Sequence, residues 1–590
     1  MCGIVGYEGK EPAAPLIFNS LSKLEYRGYD SAGIACLVNG GIICRKDTGL
    51  LAEVDRKNSL IEIPGNVGIG HVRWATHGCV NATNAHPHLD CKGKIAVVHN
   101  GIIENYKELR KRLSANHKFV SETDTEVIPH LIEDAMNRGE SFEKAVLESI
   151  GLLNGSFAFL AICCSSPGKI VGARKDSPLV VGIGDDGCYA TSDTYAFSPM
   201  TRQFGFVDEG ELVVLEGNSI SFLDSAGRSL NKELMPFKGV ADSVDKGGYD
   251  YFMLKEISEQ PETLRCSLIQ EKEYFNELAM DILRARQVVI TACGTSRYAA
   301  LVGRYLFSKV SKKFCDVIMS SEFHYFADSI DAGTLVIAVS QSGETADVME
   351  GVKRAKERGA TTLAIVNRPD SMLARISDKV IHINCGPEIS VAATKSFTNQ
   401  LAIFYLLSYA MVNRFDWIVD QLRQISHNMS YTINGTGHKI KSIAESLADR
   451  KDFYYIARGI NYAIASEGAL KLKEVSYIHA EGMPAGELKH GTLALIEKGV
   501  PVVAICPNDY TFDEMLNNMA EAKSRGGVII GVSDKHDPIY DHWIKINQVD
   551  EIFYPLVTVV PLQQLAYYLA RCCQQNPDKP RNLAKSVTVK

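Results

Sequence analysis

Short apolar runs bounded by turn residues dominate the first 240 positions. GKIAVVHNG (93–101), GSFAFLAICC (155–164) and ELVVLEGNSISFLD (211–224) have the length and punctuation of β-strands. NYKELRKRLS (105–114) and TEVIPHLIEDAMNR (125–138) carry apolar positions at helical spacing instead. The texture changes at GVADSVDKGGYDYFMLKEISEQPET, where Gly, Asp and Ser cluster, so residues 241–280 are expected to form a linker. Beyond it the chain alternates strands and helices. QVVITACGTSRYAALVGRYLF (287–307) reads as strand, Gly-bearing turn and helix, and TLVIAVSQSGETADVMEGVKRAKERG (334–359) repeats that plan. A second pass follows in DFYYIARGINYAIASEGALKLKEVSY (452–477), PVVAICPNDYTFDEMLNNMAEAKSRG (501–526) and GVIIGVSD (527–534). The two passes match element by element, which predicts an internal duplication of a parallel α/β domain. The polar, proline-bearing end, 576–590, reads as a tail.

Composition narrows the class. A chain of 590 residues exceeds one core, so roughly three or four domains of ~150 residues are expected. Hydrophobic residues make up 46% and charged residues 23%, and the net charge is −7. That balance offers no basic surface for nucleic acid or anionic membrane. The 15 cysteines are scattered, without disulfide-framework or zinc-ligand spacing. No start resembles a signal peptide and no apolar run approaches a ~20-residue span. A cytosolic protein is expected.

Candidate chemistry gathers at the N-terminus. In MCGIVGY, loss of Met1 would leave Cys2 with a thiol and a free α-amine on one residue, a nucleophile carrying its own base. A packed, inert cysteine is the alternative. HVRWATHG (71–78), NAHPH (84–88), HNGIIENY (99–106) and SETDTE (121–126) are dense in polar groups, though each alone suits a turn or cap. Together with CGIVGY (2–7) and LEYRGYDSAGIA (24–35), in this order, they resemble the class II glutamine amidotransferases. The resemblance implies Cys2 as nucleophile, the Asn100 side chain and Gly101 N–H as oxyanion hole, Arg73 on the glutamine carboxylate and Asp124 on its ammonium. It places Trp74, Thr76, His77 and Gly78 in a loop that closes over glutamine, with Trp74 gating ammonia, and His86 in support of the site.

The second half offers an acceptor site. CGTS (293–296) and SQSGETAD (340–347) each put small hydroxylated residues and a glycine between a strand and a helix N-terminus, a setting for a phosphate. No Gly-Lys-Ser/Thr follows, so this is not a P-loop. These stretches resemble the sugar isomerase domain. With EISVAATKSFTNQ (388–400), EGALKLKEVSYIHAEGMPAGELKHG (467–491) and KPRNLAKSVTV (579–589) they resemble the isomerizing glutamine–fructose-6-phosphate aminotransferase family from Cys2 to Val589. That resemblance implies Lys585 as Schiff-base residue, Glu474 as the base that moves a proton between C1 and C2 with Lys471 one turn before it, and His490 as the ring-opening group. The phosphosugar falls to Thr295, Ser296, Ser340, Gln341, Ser342, Thr345 and the backbone of Val391. His490 comes from the neighbouring subunit in that family, so a homodimer is expected.

The expected architecture is therefore multidomain α+β and α/β: an N-terminal-nucleophile hydrolase αββα sandwich over 2–240, a linker over 241–280, doubly wound parallel-sheet sugar isomerase domains over 281–425 and 445–575, and an active-site tail over 576–590. The expected substrates are L-glutamine and D-fructose 6-phosphate, with no metal, no organic cofactor, no nucleic acid and no membrane. A phosphoribosyl-pyrophosphate amidotransferase would need an acidic pyrophosphate loop, which is missing. A sugar-phosphate sensor could dispense with Glu474, His490 and Lys585, and a fructosamine-phosphate deglycase with Cys2; all four are present. Ala393, where the family often has serine, and Lys590, where an acidic residue is usual, depart from the pattern.

Overall fold

The structure, a computed structural model, describes residues 2–197, 199, 201–237 and 245–588. The removal of Met1, the start of the expected linker up to 244 and the departure at Lys590 lie outside the described residues. The chain divides into two compact units: one runs to 243 and includes the residues from 586 onward, and the other spans 244–585.

The first unit stacks two antiparallel sheets between helices. The eight-stranded sheet runs in the order Met235–Pro236, Thr201–Phe206, Val180–Gly184, Gly187–Thr191, Gly3–Gly9, Val67–Arg73, Ser31–Val38 and Gly41–Thr48. The seven-stranded sheet runs Ser229–Leu230, Ser219–Leu223, Leu212–Glu216, Lys169–Lys175, Gly155–Cys163, Ile95–Ile103 and His88–Leu89. Alternation along each strand sorts its side chains between two cores. In Gly3–Gly9, Ile4 enters the space between the sheets, while Val5 and Tyr7 face the helices Ala13–Leu24 and Leu51–Asn58. In Ile95–Ile103, Ala96 and Val98 face the sister sheet, and Ile95, Val97 and Ile103 pack with Val127–Asn137 and Phe142–Ile150. Both sheet faces are covered, so the strands read as continuous apolar runs. The layering is αββα, as the family resemblance implies.

The second unit holds two five-stranded parallel sheets. One runs Asp316–Met319, Gln287–Ala292, Thr334–Ser340, Thr361–Val366 and Lys379–His382; the other runs His479–Pro484, Asp452–Ala457, Pro501–Ile505, Val528–Ser533 and His542–Lys545. Numbered along the chain, both have the order 2-1-3-4-5 of a doubly wound fold, so the duplication read from the sequence is present in the topology. One core joins them through Lys395–Ala410, Phe415–Leu447 and Tyr554–Cys572.

Two expectations need correction. The linker ends well before 280. Phe252–Ser267 and Lys272–Arg284 are helices, and their Met253, Ile257, Leu264, Phe275, Leu278 and Ile282 join the core of the second unit. The charged residues interspersed at helical spacing had disguised this amphipathic pair as a connector. The segment Glu551–Cys572 is also long and apolar enough, by composition, to span a membrane, but most of it is buried inside the second unit. It is a core helix, apolar all round because neighbours surround it.

The tail is fastened rather than free. The Asp578 carboxylate accepts the N–H groups of Phe252 (2.9 Å) and Met253 (2.8 Å), capping that helix, and the Asp578 carbonyl accepts the N–H of Val391 at 3.1 Å. The closest backbone approach in the second repeat is at Gly482. A Cβ there would lie 2.4 Å from Ser466 Cα and 2.7 Å from its nitrogen, on the helix Asn461–Ser476. Gly482→Ala is therefore expected to lower the urea midpoint by about 1–3 kcal/mol of stability; an unchanged midpoint would show that this helix can retreat freely.

Candidate active sites

Cys2 precedes the central strand Gly3–Gly9, whose Gly3 pairs with Val72. The neighbouring strand ends at Arg73, which brings Trp74 alongside: its N–H lies 3.4 Å from Cys2 Sγ, and the thiol lies 3.5 Å from the Trp74 carbonyl. Burial pushes the Cys2 thiol up, the Trp74 N–H and the Arg73 guanidinium pull it back, and Asp30 adds to the rise. Asn100 Nδ2 donates to the Cys2 carbonyl at 3.1 Å, and the buried Asn100 Oδ1 has no hydrogen-bond partner among the described residues. Gly101 has φ +126°, and a Cβ would stand 2.0 Å from the Ser156 carbonyl oxygen, so glycine is required there. Its N–H is thereby fixed beside Asn100 on the same strand.

Arg73 is almost wholly buried. One of its terminal nitrogens, Nη2, donates to the His77 carbonyl, while Nη1 is buried with no partner among the described residues. A buried guanidinium donor without an acceptor is costly, and a ligand carboxylate would satisfy it. The Asp124 carboxylate accepts the Ile103 N–H at 2.8 Å and, with Asp30, electrostatically supports the Arg73 charge against its burial. Trp74, Thr76, His77 and Gly78 form a partly exposed turn, held by the Ala75 N–H donating to Asp30 at 2.8 Å. Gly78 has φ +77° and faces Asn84 and Glu122.

His86 sits among imidazoles. Its ring stacks on His71 (4.1 Å between centroids, 13° between planes) and meets His88 edge-on at 4.7 Å. His99 Nδ1 shares a hydrogen bond with Thr125 Oγ1 at 2.8 Å, and His88 Nε2 one with Thr123 Oγ1 at 3.1 Å. Burial lowers all four, His71 to about 3, so these rings are neutral hydrogen-bonding struts beneath the turn 121–125. Sequence reasoning named only His86; the period-two spacing of HPH and the His71 that opens HVRWATHG were the available signals for the others. Asp30 was missed as well.

In the second unit, Lys585 Nζ lies 2.5 Å from Glu388 Oε2, with side-chain exposures of 4% and 0%. Glu388 was not singled out from the sequence. Burial would raise its pKa, but the Lys585 ammonium, the Ser396 and Thr394 N–H groups (3.0 and 2.9 Å) and Ser396 Oγ (2.8 Å) hold it well below the usual carboxylate range. Glu256, buried beside it, is driven the other way by burial and by the Glu388 charge. Lys471 and Glu474 stand on one face of Asn461–Ser476, 2.6 Å apart; Lys471 also donates to Thr295 Oγ1 at 2.9 Å and lies 3.6 Å from Glu467. Thr295 Oγ1 in turn donates to Glu467 at 3.2 Å. The Glu388 charge adds to the support of the Lys471 ammonium, after the larger contributions of Glu467 and Glu474.

The stretch expected to hold a phosphate forms a compact turn ahead of a helix. Ser340 ends its strand, and its Oγ accepts the Gly343 N–H (3.1 Å) and shares a hydrogen bond with Thr345 (3.0 Å), just before the helix Ala346–Glu357. Ser342 Oγ accepts the Glu344 N–H at 3.2 Å, and Gln341 lies between the two serines. Gly343 has φ +66°, and a Cβ would collide with Ser371. Ser296, at the N-terminus of Gly294–Ser311, accepts from Gln400 Nε2 at 3.0 Å. The Val391 N–H is engaged by the Asp578 carbonyl at 3.1 Å. His490 is exposed at the end of Ala485–His490, apart from the lysine clusters.

The sandwich carrying an N-terminal cysteine and the duplicated phosphosugar-type fold define a glutamine amidotransferase fused to a pair of sugar isomerase domains. Family comparison agrees: residues 71–198 match the glutamine amidotransferase domain, and residues 281–410 and 446–571 match the SIS domain. The chain is 45% identical, over the full length of both proteins, to the glutamine–fructose-6-phosphate aminotransferase [isomerizing] of Pyrococcus horikoshii, and 46% identical at the same coverage to that of Methanothermobacter thermautotrophicus. It also resembles the solved C-terminal domain of the glucosamine-fructose-6-phosphate aminotransferase from Francisella tularensis (34% identity, TM-score 0.52, covering 57% of this chain and all of that one). The chain belongs to the isomerizing glutamine–fructose-6-phosphate aminotransferase family.

Burial, only partly offset by Lys471, raises the fully buried Glu467 from the ordinary 4.5 to about 8. A carboxyl raised on folding keeps a proton that the unfolded chain has already lost, so it makes stability fall as pH rises from 4.5 to about 8. Glu467→Gln is expected to flatten urea midpoints across that window, gaining on the parent chain as pH rises. Parallel curves would mean that Glu467 is ionised in both states.

Proposed function

We propose that this protein converts L-glutamine and D-fructose 6-phosphate into L-glutamate and D-glucosamine 6-phosphate, the entry to the hexosamine (UDP-N-acetylglucosamine) pathway. The observation that carries this reading is the buried Lys585–Glu388 pair in the same unit as the Ser340–Thr345 cradle. A lysine in a polar tail is ordinarily a solvated charge. One buried against an acid, in the same unit as the Ser340–Thr345 turn, fits a residue that captures a sugar carbonyl once it has given up its proton.

Cys2 Sγ attacks the glutamine carboxamide carbon, with the α-amine of a processed Cys2 taking the thiol proton. The unpartnered Arg73 Nη1 receives the substrate carboxylate, Asp124 the ammonium, and Asn100 with the Gly101 N–H the developing oxyanion. Collapse of the tetrahedral adduct returns the proton to the departing nitrogen, which leaves as ammonia and forms a Cys2 thioester. Water then hydrolyses the thioester to glutamate and frees the thiol, while the ammonia passes to the acceptor site with Trp74 as gate. In the resting second site the Lys585 amine is tied to Glu388, so an arriving ketose must separate the pair before the amine can attack its carbonyl. Glu474, steadied by Lys471, is placed to move the proton between C1 and C2. The exposed His490 fits a ring-opening role supplied across a homodimer interface. The scheme draws on no organic cofactor, and we propose the cytosol as its compartment.

The test follows both products together on the purified protein, with Cys2→Ala in parallel. Coupled formation of glutamate and glucosamine 6-phosphate is expected. The variant should lose glutamine-dependent synthesis by on the order of 10⁴-fold or more while retaining phosphosugar isomerisation. Glutamate without amino sugar would overturn the acceptor assignment. Sugar-phosphate binding with neither product would favour a regulatory protein.

A further inference from the structure

Away from both sites, the first unit gathers Cys91, His117, His130 and Glu133 so that one donor atom of each lies within 4.8 Å of all the others. We propose that this cluster binds a zinc-type divalent cation with four protein ligands. The sequence hid it because the ligands come from three segments with no motif spacing. Cys91 is in the turn before Ile95–Ile103, His117 follows the helix Tyr106–Leu113, and His130 and Glu133 stand one turn apart on Val127–Asn137.

Four of the six ligand–ligand distances fit a tetrahedron, and the other two lie within 4.8 Å. Bonds of about 2.3 Å to sulfur and about 2.0–2.1 Å to nitrogen and oxygen put sulfur and nitrogen ligands about 3.6 Å apart, and nitrogen and oxygen ligands about 3.3 Å apart. Here Cys91 Sγ lies 3.5 Å from His117 Nδ1 and 3.7 Å from His130 Nδ1. Glu133 Oε2 lies 3.0 Å from His117 Nδ1 and 3.6 Å from His130 Nδ1. Both imidazoles turn Nδ1 toward the common centre. Behind them, His117 Nε2 lies 2.8 Å from Asp134 Oδ1 and His130 Nε2 lies 3.8 Å from Glu126 Oε1. The Asp134 carboxylate places the His117 proton on Nε2 and frees its Nδ1 lone pair, the arrangement that orients metal-binding histidines, whereas Glu126 is beyond hydrogen-bond distance of His130.

The donor set is one thiolate, two imidazoles and one carboxylate. A mixed sulfur–nitrogen set of four suits zinc better than magnesium or calcium, which require oxygen. Two anionic ligands balance the dication, and binding releases the Cys91 thiol proton to water. Cys91 is exposed, giving the ion a way in, while the other three ligands are buried. A bound ion would clamp together three segments, including the helix that directly follows Asp124.

Two measurements on the full-length chain test this. Cobalt(II) titrated into the Cys2→Ala protein, in which the active-site thiol is gone, should bind at about one equivalent per chain with visible tetrahedral bands and a thiolate charge-transfer band. Cys91→Ser should lose the charge-transfer band, and Cys164→Ser should keep it. In case Cys91→Ser fails to fold, alkylation of the parent protein by iodoacetamide, mapped by peptide mass spectrometry, gives the same answer. One equivalent of zinc should slow labelling of Cys91 at least tenfold while leaving Cys79 unchanged. No cobalt bands together with unprotected Cys91 would overturn the proposal, and rapid labelling of Cys91 that zinc does not slow would identify a reactive thiol–imidazole pair instead.

Discussion

The second unit is organised around a buried ion pair between two distant stretches of the chain. Lys585 and Glu388 are both removed from water, and desolvating such a pair costs as much as, or more than, its attraction returns. The structure offsets that cost with additional donors. The N-terminus of Lys395–Ala410 presents the Thr394 and Ser396 N–H groups and the Ser396 hydroxyl to Glu388, where the helix dipole also favours an anion. Lys395, next along, is taken by Glu259 at 2.7 Å. Removing either member of the Lys585–Glu388 pair alone would strand a buried charge, so the tail sequence and the EISVAATKS stretch are bound to one another.

That constraint explains other features of the fold. Among the described residues the tail has no helix or strand beyond Cys572, and yet it brings Lys585 to Glu388. It is fastened on the way by Asp578, which caps Phe252–Ser267, and by the Arg581 N–H donating to the Tyr477 hydroxyl at 2.7 Å. The helices 252–284, which the sequence suggested were connector, are thus part of what holds the lysine. Lys471 repeats the theme on a helix: placed between Glu467 and Glu474, it relies on i,i+3 and i,i+4 spacing rather than on a long-range clasp. The first unit uses the complementary device. Arg73 Nη1 is left unpartnered among the described residues, a donor that a ligand carboxylate would satisfy, while Asn100 Nδ2 is held on the Cys2 carbonyl.

Elements with strong local patterning were legible. The duplicated strand–turn–helix units, the Ser/Gly turn at 340–345 and the loop of residues 73–78 could be read because turn residues and apolar runs announce themselves over short windows. Long-range partnerships could not. Nothing within reach of Glu388 in sequence indicates a partner 197 residues away. His71, His88 and His99 read as ordinary polar positions until strand pairing gathers them around His86. Cys91, His117 and His130 lack motif spacing because three separate elements supply them. The linker was misread for a different reason: an amphipathic helix rich in Glu and Lys looks like a solvated connector until the partner for its apolar face is known.

The central claim is that Lys585 is the residue that receives the sugar. Borohydride reduction of the protein in the presence of fructose 6-phosphate, followed by peptide mapping, tests it directly. The account predicts one hexose-phosphate adduct per chain, on Lys585. An adduct on Lys471 or Lys395, or none at all under conditions of turnover, would contradict it.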